Sequence, residues 1–113
     1  MDKYIITLWK YTGYLWFWVY SNNRIAITFN DIETNERIDV LTTNLVDTTC
    51  DNNHIFLNIN NNLWLPIDND ILDIFLKEWL ITNVVDEYNS WFVSYPKCKI
   101  SDKLKQIINI QEL

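Results

Sequence analysis

One histidine and two cysteines, His54, Cys50 and Cys98, are the side chains in this sequence best suited to nucleophilic chemistry. A cysteine nucleophile needs a neighbouring base, and that base needs a third group to orient it. Cys50 lies four residues before His54, but the sequence offers no third group to orient the imidazole. A histidine-based zinc site needs further ligands, and no H-E-x-x-H motif occurs. We therefore expect no catalytic residues and no enzymatic activity.

The closest approach to a metal-binding motif is Asp68-x-Asp70-x-x-Asp73. It lacks the glycine and the distal glutamate of a calcium loop. At the start of a predicted helix, these carboxylates stabilise the positive end of the helix dipole. The chain has a single glycine, Gly13, so it contains no glycine-rich loop of the kind that holds phosphates. We expect neither a metal nor a cofactor.

The segment of residues 14–20, YLWFWVY, carries the densest group of aromatic side chains. In a strand, alternation places four of them on one face: Tyr14, Trp16, Trp18 and Tyr20. Because the opposite face, with Leu15, Phe17 and Val19, is also apolar, one interpretation is a central strand covered on both sides. The other interpretation is a recognition surface, since tyrosine and tryptophan are enriched at binding hot spots.

Charge is unevenly distributed along the chain. Fifteen acidic residues oppose nine basic ones for a net charge of −6, and twelve of the acids lie in residues 31–87. This balance disfavours direct binding to nucleic acid or to an anionic membrane. The acidic residues predicted to take part in binding are Asp31, Glu33, Glu36 and Asp39. They form either a solvated surface or a surface complementary to a basic groove on a nucleic-acid-handling partner.

The elements that must position these residues follow from periodicity. Alternating and β-branched residues predict strands at 4–9, 14–20, 24–29, 37–45, 54–59 and 91–95, the last stopped by Pro96. Gly13 is predicted to take a positive φ in a turn. Helical periodicity predicts a helix from about Asp68 to residues 82–83, with Trp79 on its apolar face, and a short C-terminal helix capped by Ser101.

Together these elements predict one α+β domain over residues 1–113. Its antiparallel sheet of five or six strands is packed by one main helix plus a short C-terminal helix. The sequence shows neither a signal peptide nor an apolar run long enough to span a bilayer. The two cysteines lack C-x-x-C spacing and are interpreted as free thiols in a reducing compartment, so we expect a cytoplasmic protein.

Four short segments occur together in a familiar order. They are LTTNL at residues 41–45, IFLNINNN at 55–62, FLKEWL at 75–80 and VSYPKCKI at 93–100. In this order the chain resembles a family of short uncharacterised proteins of phages and mobile elements from gut and low-GC bacteria. The resemblance implies no catalytic residues. It implies a setting in which small acidic accessory proteins include inhibitors of host defence.

The sequence therefore predicts a non-enzymatic phage or mobile-element inhibitor of a host defence complex, and most specifically an anti-CRISPR protein that binds a Cas effector. The expected partner is a nucleic-acid-binding effector protein in the host cytoplasm, with no direct contact to nucleic acid or membrane. The alternative is a structural or regulatory module that homodimerises through the Tyr/Trp face.

Overall fold

The computed structural model describes residues 4–8, 10–20, 24–43, 53–58, 71–90 and 93–112. Within them the chain is a mixed α+β protein with eight strands and two helices. The strands are β1 (Tyr4–Leu8), β2 (Tyr11–Val19), β3 (Ile25–Asp31), β4 (Arg37–Val40), β5 (Thr42–Thr43), β6 (His54–Leu57), β7 (Ile81–Ser90) and β8 (Val93–Ile100). The helices are α1 (Ile71–Lys77) and α2 (Asp102–Glu112).

The strands form two four-stranded antiparallel sheets. Sheet A has the order β1-β2-β3-β4, and sheet B has the order β5-β6-β8-β7. The prediction of one sheet of five or six strands is therefore wrong. The reason lies at Leu41, which divides the predicted strand 37–45 into β4 and β5. Its N–H donates to the Ile27 carbonyl of sheet A (2.9 Å), and its C=O accepts from Asn58 beside sheet B (2.8 Å).

One hydrophobic core joins the two sheets and both helices. The inner face of sheet A contributes Leu15 and Phe17 from β2 and Ile27 and Phe29 from β3. Sheet B and the helices complete the core with further buried side chains, which include Leu41, Ile55, Leu57, Phe75, Ile81, Cys98 and Leu104. Burying a side chain of this size contributes about 1.5–3 kcal/mol. This core determines which side chains of sheet A point inward and which point outward.

Gly13 does not form the predicted turn. It lies inside β2, and its φ is not positive. Its role is steric. A Cβ at this position would overlap the Asn30 carbonyl oxygen and would lie 2.9 Å from the ring of Phe29. The glycine therefore leaves room for the Asn30 carbonyl and for the ring of Phe29 beside β2.

Helix α1 ends at Lys77, well before the predicted boundary at residues 82–83. The Leu80 N–H donates to the Phe75 carbonyl (2.9 Å) and the Trp79 N–H donates to the Leu76 carbonyl (3.2 Å). These two bonds form a Schellman motif, with Trp79 at the left-handed position and a φ of 59°. The predicted place of Trp79 on the buried face of the helix is therefore wrong.

The residues after this helix form β7, a ten-residue strand that the sequence pattern did not predict. Its β-branched residues, Ile81, Thr82, Val84 and Val85, favour extended backbone once the helix has ended. Strand β8 continues through Pro96 to Ile100, although the sequence predicted that Pro96 would stop it. Pro96 is tolerated because the last pair of β6 with β8 is Phe56 with Lys97, so no β6 partner is required there.

The C-terminal helix confirms its predicted cap. Ser101 Oγ accepts a hydrogen bond from the Leu104 N–H (3.0 Å) and donates to the Leu80 carbonyl (3.1 Å). Lys103 Nζ donates to the Glu78 carbonyl (2.8 Å) and lies 5.2 Å from the centre of the Tyr4 ring. The start of α2 is thereby joined to the end of α1.

Candidate functional site

Strand β2 positions the predicted aromatic residues on the outer face of sheet A. Residues 11–15 of this strand pair with β1, and residues 13–19 pair with β3, so both tryptophans lie on the part that pairs with β3. Trp16 lies opposite Thr28, and Trp18 lies opposite Ala26. Both of these smaller β3 residues are buried. We call Tyr14, Trp16, Trp18 and Tyr20 the outer aromatic strip.

The four members of the strip differ in exposure. Trp16 is 43% exposed and Trp18 is 40% exposed, whereas Tyr14 is only 5% exposed. The interpretation that both faces of β2 are covered is therefore wrong at the two tryptophans. The inner face, with Leu15 and Phe17, is buried as that interpretation required. Leu15 and Phe17 lie on the face of sheet A that shares a core with sheet B. The indoles, which alternate with them along β2, therefore lie on the opposite, outer face.

Hydrogen bonds hold the two tyrosines at the ends of the strip. The Tyr14 hydroxyl donates to Asn35 Oδ1 (3.1 Å) in the turn after β3. The Tyr20 hydroxyl lies within hydrogen-bond distance of the Thr42 carbonyl and hydroxyl (3.3 and 3.2 Å). The ring of Tyr20 also meets the ring of Trp18 edge-on, with centroids 4.9 Å apart. The strip is thus a fixed surface with two tryptophans at its centre.

An acidic turn, residues 31–36, lies at the Tyr14 end of the strip. Asp31 closes this turn, since its Oδ1 accepts from the N–H groups of Glu33 (2.8 Å) and Thr34 (3.1 Å). These backbone donors, Thr34 first and Glu33 second, hold the pKa of the Asp31 carboxyl below its ordinary value. Glu33 and Glu36 are exposed. Two of the predicted acidic residues therefore face solvent, and Asp31 stabilises the loop that presents them.

Asp39 does not belong to this acidic surface. It is half-buried on β4, opposite the core residue Phe29. Its Oδ1 accepts from the Val40 N–H (2.8 Å), and its buried Oδ2 has no hydrogen-bond partner among the described residues. The structure thus separates Asp39 from Glu33 and Glu36, although the sequence placed them in one set.

The residues considered for catalysis lie in different environments. His54 is half-buried at the start of β6, opposite Lys99. Cys98 is fully buried, and this burial raises the pKa of its thiol to about 12. Asp73 is exposed in the first turn of α1, while Cys50, Asp68 and Asp70 lie outside the described residues. Among the residues that the structure describes, no three His, Cys, Asp or Glu side chains come together.

A second exposed surface, which the sequence pattern did not indicate, lies around Trp79. This side chain is 70% exposed, the largest exposed fraction among the large hydrophobic residues described. Trp79 comes directly after Glu78, one of the residues that line a groove of about 290 Å³ between β1 and α1. Ile5 and Ile74 line this groove from opposite sides. No sequence signal marked it, because the spacing of Trp79 from Phe75 and Ile71 matched a continuous helix.

Comparison of the chain with protein-family models, with curated proteins and with solved structures found no match. Neither helix of the described part of the chain has the length and apolar character needed to cross a bilayer.

Proposed function

We propose that this chain is a non-enzymatic protein that binds a partner protein through the outer aromatic strip. The observation that carries the proposal is the exposure of Trp16 and Trp18, 43% and 40%, on a strand whose backbone pairs with β3 at both positions. Tryptophan buries a large area on contact and is the residue type most enriched at binding hot spots. Pairing with β3 fixes the backbone at both tryptophans, so little backbone entropy is lost on binding.

The acidic turn indicates the kind of partner. Glu33 and Glu36 are exposed beside the Tyr14 end of the strip, and the whole chain carries a net charge of −6. Acidic groups next to an apolar contact favour encounter with a basic groove and fix its orientation. Basic grooves are typical of proteins that bind nucleic acid. We therefore propose a nucleic-acid-binding defence effector as the partner, with the chain acting as an anti-CRISPR inhibitor in the host cytoplasm.

The test uses the wild-type chain and variants in cells that carry an active CRISPR defence, with the plating efficiency of a targeted phage as the readout. Wild type is expected to restore plating. Trp16→Ala and Trp18→Ala together are expected to abolish the effect, since each hot-spot truncation costs ~2 kcal/mol, or roughly thirtyfold in affinity. Trp79→Ala is the matched control, because it removes an exposed tryptophan outside the strip.

The same variants separate the inhibitor from a homodimer. Sedimentation of purified wild type as a monomer, together with salt-sensitive binding to the purified effector, supports the proposal. Replacing Glu33 and Glu36 by Gln should then slow association. A wild-type dimer that the Trp16→Ala, Trp18→Ala variant converts to monomer, without any effect on phage plating, contradicts it. Full inhibition by a folded double variant also contradicts it.

A further inference from the structure

The two exposed tryptophans of the outer aromatic strip, Trp16 and Trp18, lie two residues apart on one strand. Alternate residues of a strand are about 6.7 Å apart, and a contact between the faces of two flat groups takes about 3.5 Å. The spacing therefore admits one flat group between the two indoles, in contact with both. We call the space between Trp16 and Trp18 the indole gap.

No ring contact closes the indole gap. The ring of Trp18 meets Tyr20 edge-on, with centroids 4.9 Å apart, and hydrogen bonds to Thr42 hold Tyr20 in turn. Trp16 makes no ring contact with any other residue that the structure describes. Because β1 pairs only with residues 11–15, no described strand lies beside the two indoles on that side of β2. Both indoles therefore keep ring surface available to a ligand.

Two small residues of β3 form the floor of the indole gap. Thr28 lies opposite Trp16, Ala26 lies opposite Trp18, and both are buried. The Thr28 hydroxyl donates its proton to Asn30 Oδ1 (3.0 Å). Towards a ligand the Thr28 oxygen can therefore only accept a hydrogen bond. This floor favours a ligand that carries N–H or O–H donors.

The faces of the indoles favour a cation. An aromatic ring is negative over its face, and tryptophan attracts cations more strongly than the other aromatic residues do. Charge on the surrounding sheet is nearly balanced. Its described residues comprise four acids and three bases, namely Asp31, Glu33, Glu36 and Asp39 against Lys10, Arg24 and Arg37. The indoles themselves therefore set the local preference, and the net charge of −6 of the whole chain disfavours an anionic ligand.

The arginine guanidinium is the protein side-chain group that combines a flat shape, a positive charge and several donors. It carries five N–H groups and no acceptor, and it stacks on aromatic faces. When its faces contact two indoles, its N–H groups point outward in its own plane, and one of them can meet the acceptor on the floor. The lysine ammonium is a compact point charge and has no flat face to stack.

We propose that the indole gap binds the guanidinium of an arginine side chain, stacked between Trp16 and Trp18 with one N–H donated to Thr28 Oγ. This inference rests on the function proposed above, since the arginine belongs to the basic groove of the partner protein. It identifies the chemical group of the partner that the outer aromatic strip recognises.

The test titrates the full chain with an acetylated and amidated Gly-Arg-Gly peptide and follows both molecules by NMR. We expect saturable shifts of the Trp16 and Trp18 indole N–H signals, with a Kd below about 10 mM. The arginine δ-methylene protons should shift upfield, because they lie over the faces of the rings. Two control peptides replace arginine by lysine, which keeps the charge without the flat group, or by citrulline, which keeps a flat group with N–H donors but no charge. Each should bind at least about fivefold more weakly.

Variants of the chain test each contact. Trp16→Ala and Trp18→Ala each remove one wall of the gap and should weaken binding of the arginine peptide at least about fivefold. Thr28→Val removes the acceptor and should weaken it at least about threefold, whereas Thr28→Ser keeps the hydroxyl and should bind as wild type. Trp79→Ala, which removes an exposed tryptophan outside the strip, is the control and should also bind as wild type.

Equal binding of the arginine and lysine peptides overturns the proposal, as does full binding by Trp16→Ala, Trp18→Ala or Thr28→Val. Tighter binding of a thymidylate octamer than of the arginine peptide also overturns it, because the gap would then select a nucleobase.

Binding to the purified effector separates this inference from the proposed function. An arginine peptide that does not bind, together with effector binding that Trp16→Ala and Trp18→Ala abolish, overturns the guanidinium site and leaves the proposed function in place. An arginine peptide that binds in the indole gap, without any effector binding that depends on Trp16 or Trp18, supports the guanidinium site and contradicts the proposed function.

Discussion

Trp79 occupies a position in the chain where glycine is the preferred residue. It ends α1 in a Schellman motif with a φ of 59°. We expect Trp79→Gly to raise the free energy of unfolding by about 1 kcal/mol, since a left-handed conformation costs an L-residue roughly 1–2 kcal/mol and glycine is more flexible when unfolded. Urea unfolding of the two proteins measures the difference.

Trp79→Ala is the control for this change. Alanine removes the indole but keeps the backbone cost of a Cβ at positive φ. An alanine variant as stable as the glycine variant would show that the indole, rather than the backbone, destabilises the native chain. A glycine variant less stable than wild type would show that the Trp79 side chain makes contacts that outweigh the strain.

At the residue scale, sequence alternation predicted which side chains of β2 share a face, and the structure confirms that arrangement. It did not predict which of them are exposed. Tyr14 and Trp16 are both large aromatic residues on the outer face of sheet A, yet Tyr14 is buried and Trp16 is not. The difference comes from the turn after β3, where Asn35 receives the Tyr14 hydroxyl. Such a contact spans twenty-one residues and leaves no periodic signal in the sequence.

Ser101 is the point at which α1, β7 and α2 are held together. It caps α2 through the Leu104 N–H and also donates to the Leu80 carbonyl at the end of α1. Ser101→Ala removes both bonds within a buried site. We expect the free energy of unfolding to fall by about 2 kcal/mol, from the lost cap and an unsatisfied buried group. Thermal or urea unfolding checks this value.

The matched variant is Ser101→Thr, whose hydroxyl preserves a capping oxygen at the same position. It should recover most of the stability that alanine loses. Equal stability of wild type and Ser101→Ala would mean that the remaining bonds at this junction, from the Ser101 N–H to Leu80 and from Lys103 to Glu78, suffice to hold it.

At the element scale, local rules predicted four strands in the region of sheet A and the cap of α2, although β2 begins at Tyr11 rather than Tyr14 and the predicted strand 37–45 is divided. They did not predict β7 or the end of α1. The residues around position 79 continue a helical spacing, while Ile81–Val85 favour a strand. We attribute the outcome to tertiary packing, because the extended chain buries Ile81 in the core opposite Ile100. Neighbouring residues alone do not contain that information.

At the scale of the whole molecule, Cys98 couples stability to pH. Its thiol is buried in the shared core, and burial raises its pKa from 9.0 to about 12. The unfolded chain therefore loses this proton near pH 9, while the folded chain retains it. The contribution of this thiol to the free energy of unfolding is fully present below that pH. It falls as pH rises toward 12, by up to about 1.4 kcal/mol per pH unit.

Urea unfolding of wild type and of Cys98→Ala between these pH values isolates the contribution of this thiol, since all other titrating groups are common to both proteins. The alanine variant should be less stable at neutral pH because of its cavity. Its free energy of unfolding should decline less steeply with pH, because unfolding of the variant releases one proton fewer. Parallel pH profiles for the two proteins would contradict the raised pKa of Cys98.

The order of strands in the two sheets has a consequence for synthesis on the ribosome. Sheet A is a meander, so each of its strands pairs with the one just made. Sheet B places β8 between β6 and β7 and can be completed only after nearly the whole chain has emerged. During translation the apolar inner face of sheet A therefore stays uncovered until β7, β8 and α2 have been synthesised. Slow delivery of the last forty residues or so therefore exposes the nascent chain to chaperones and to aggregation.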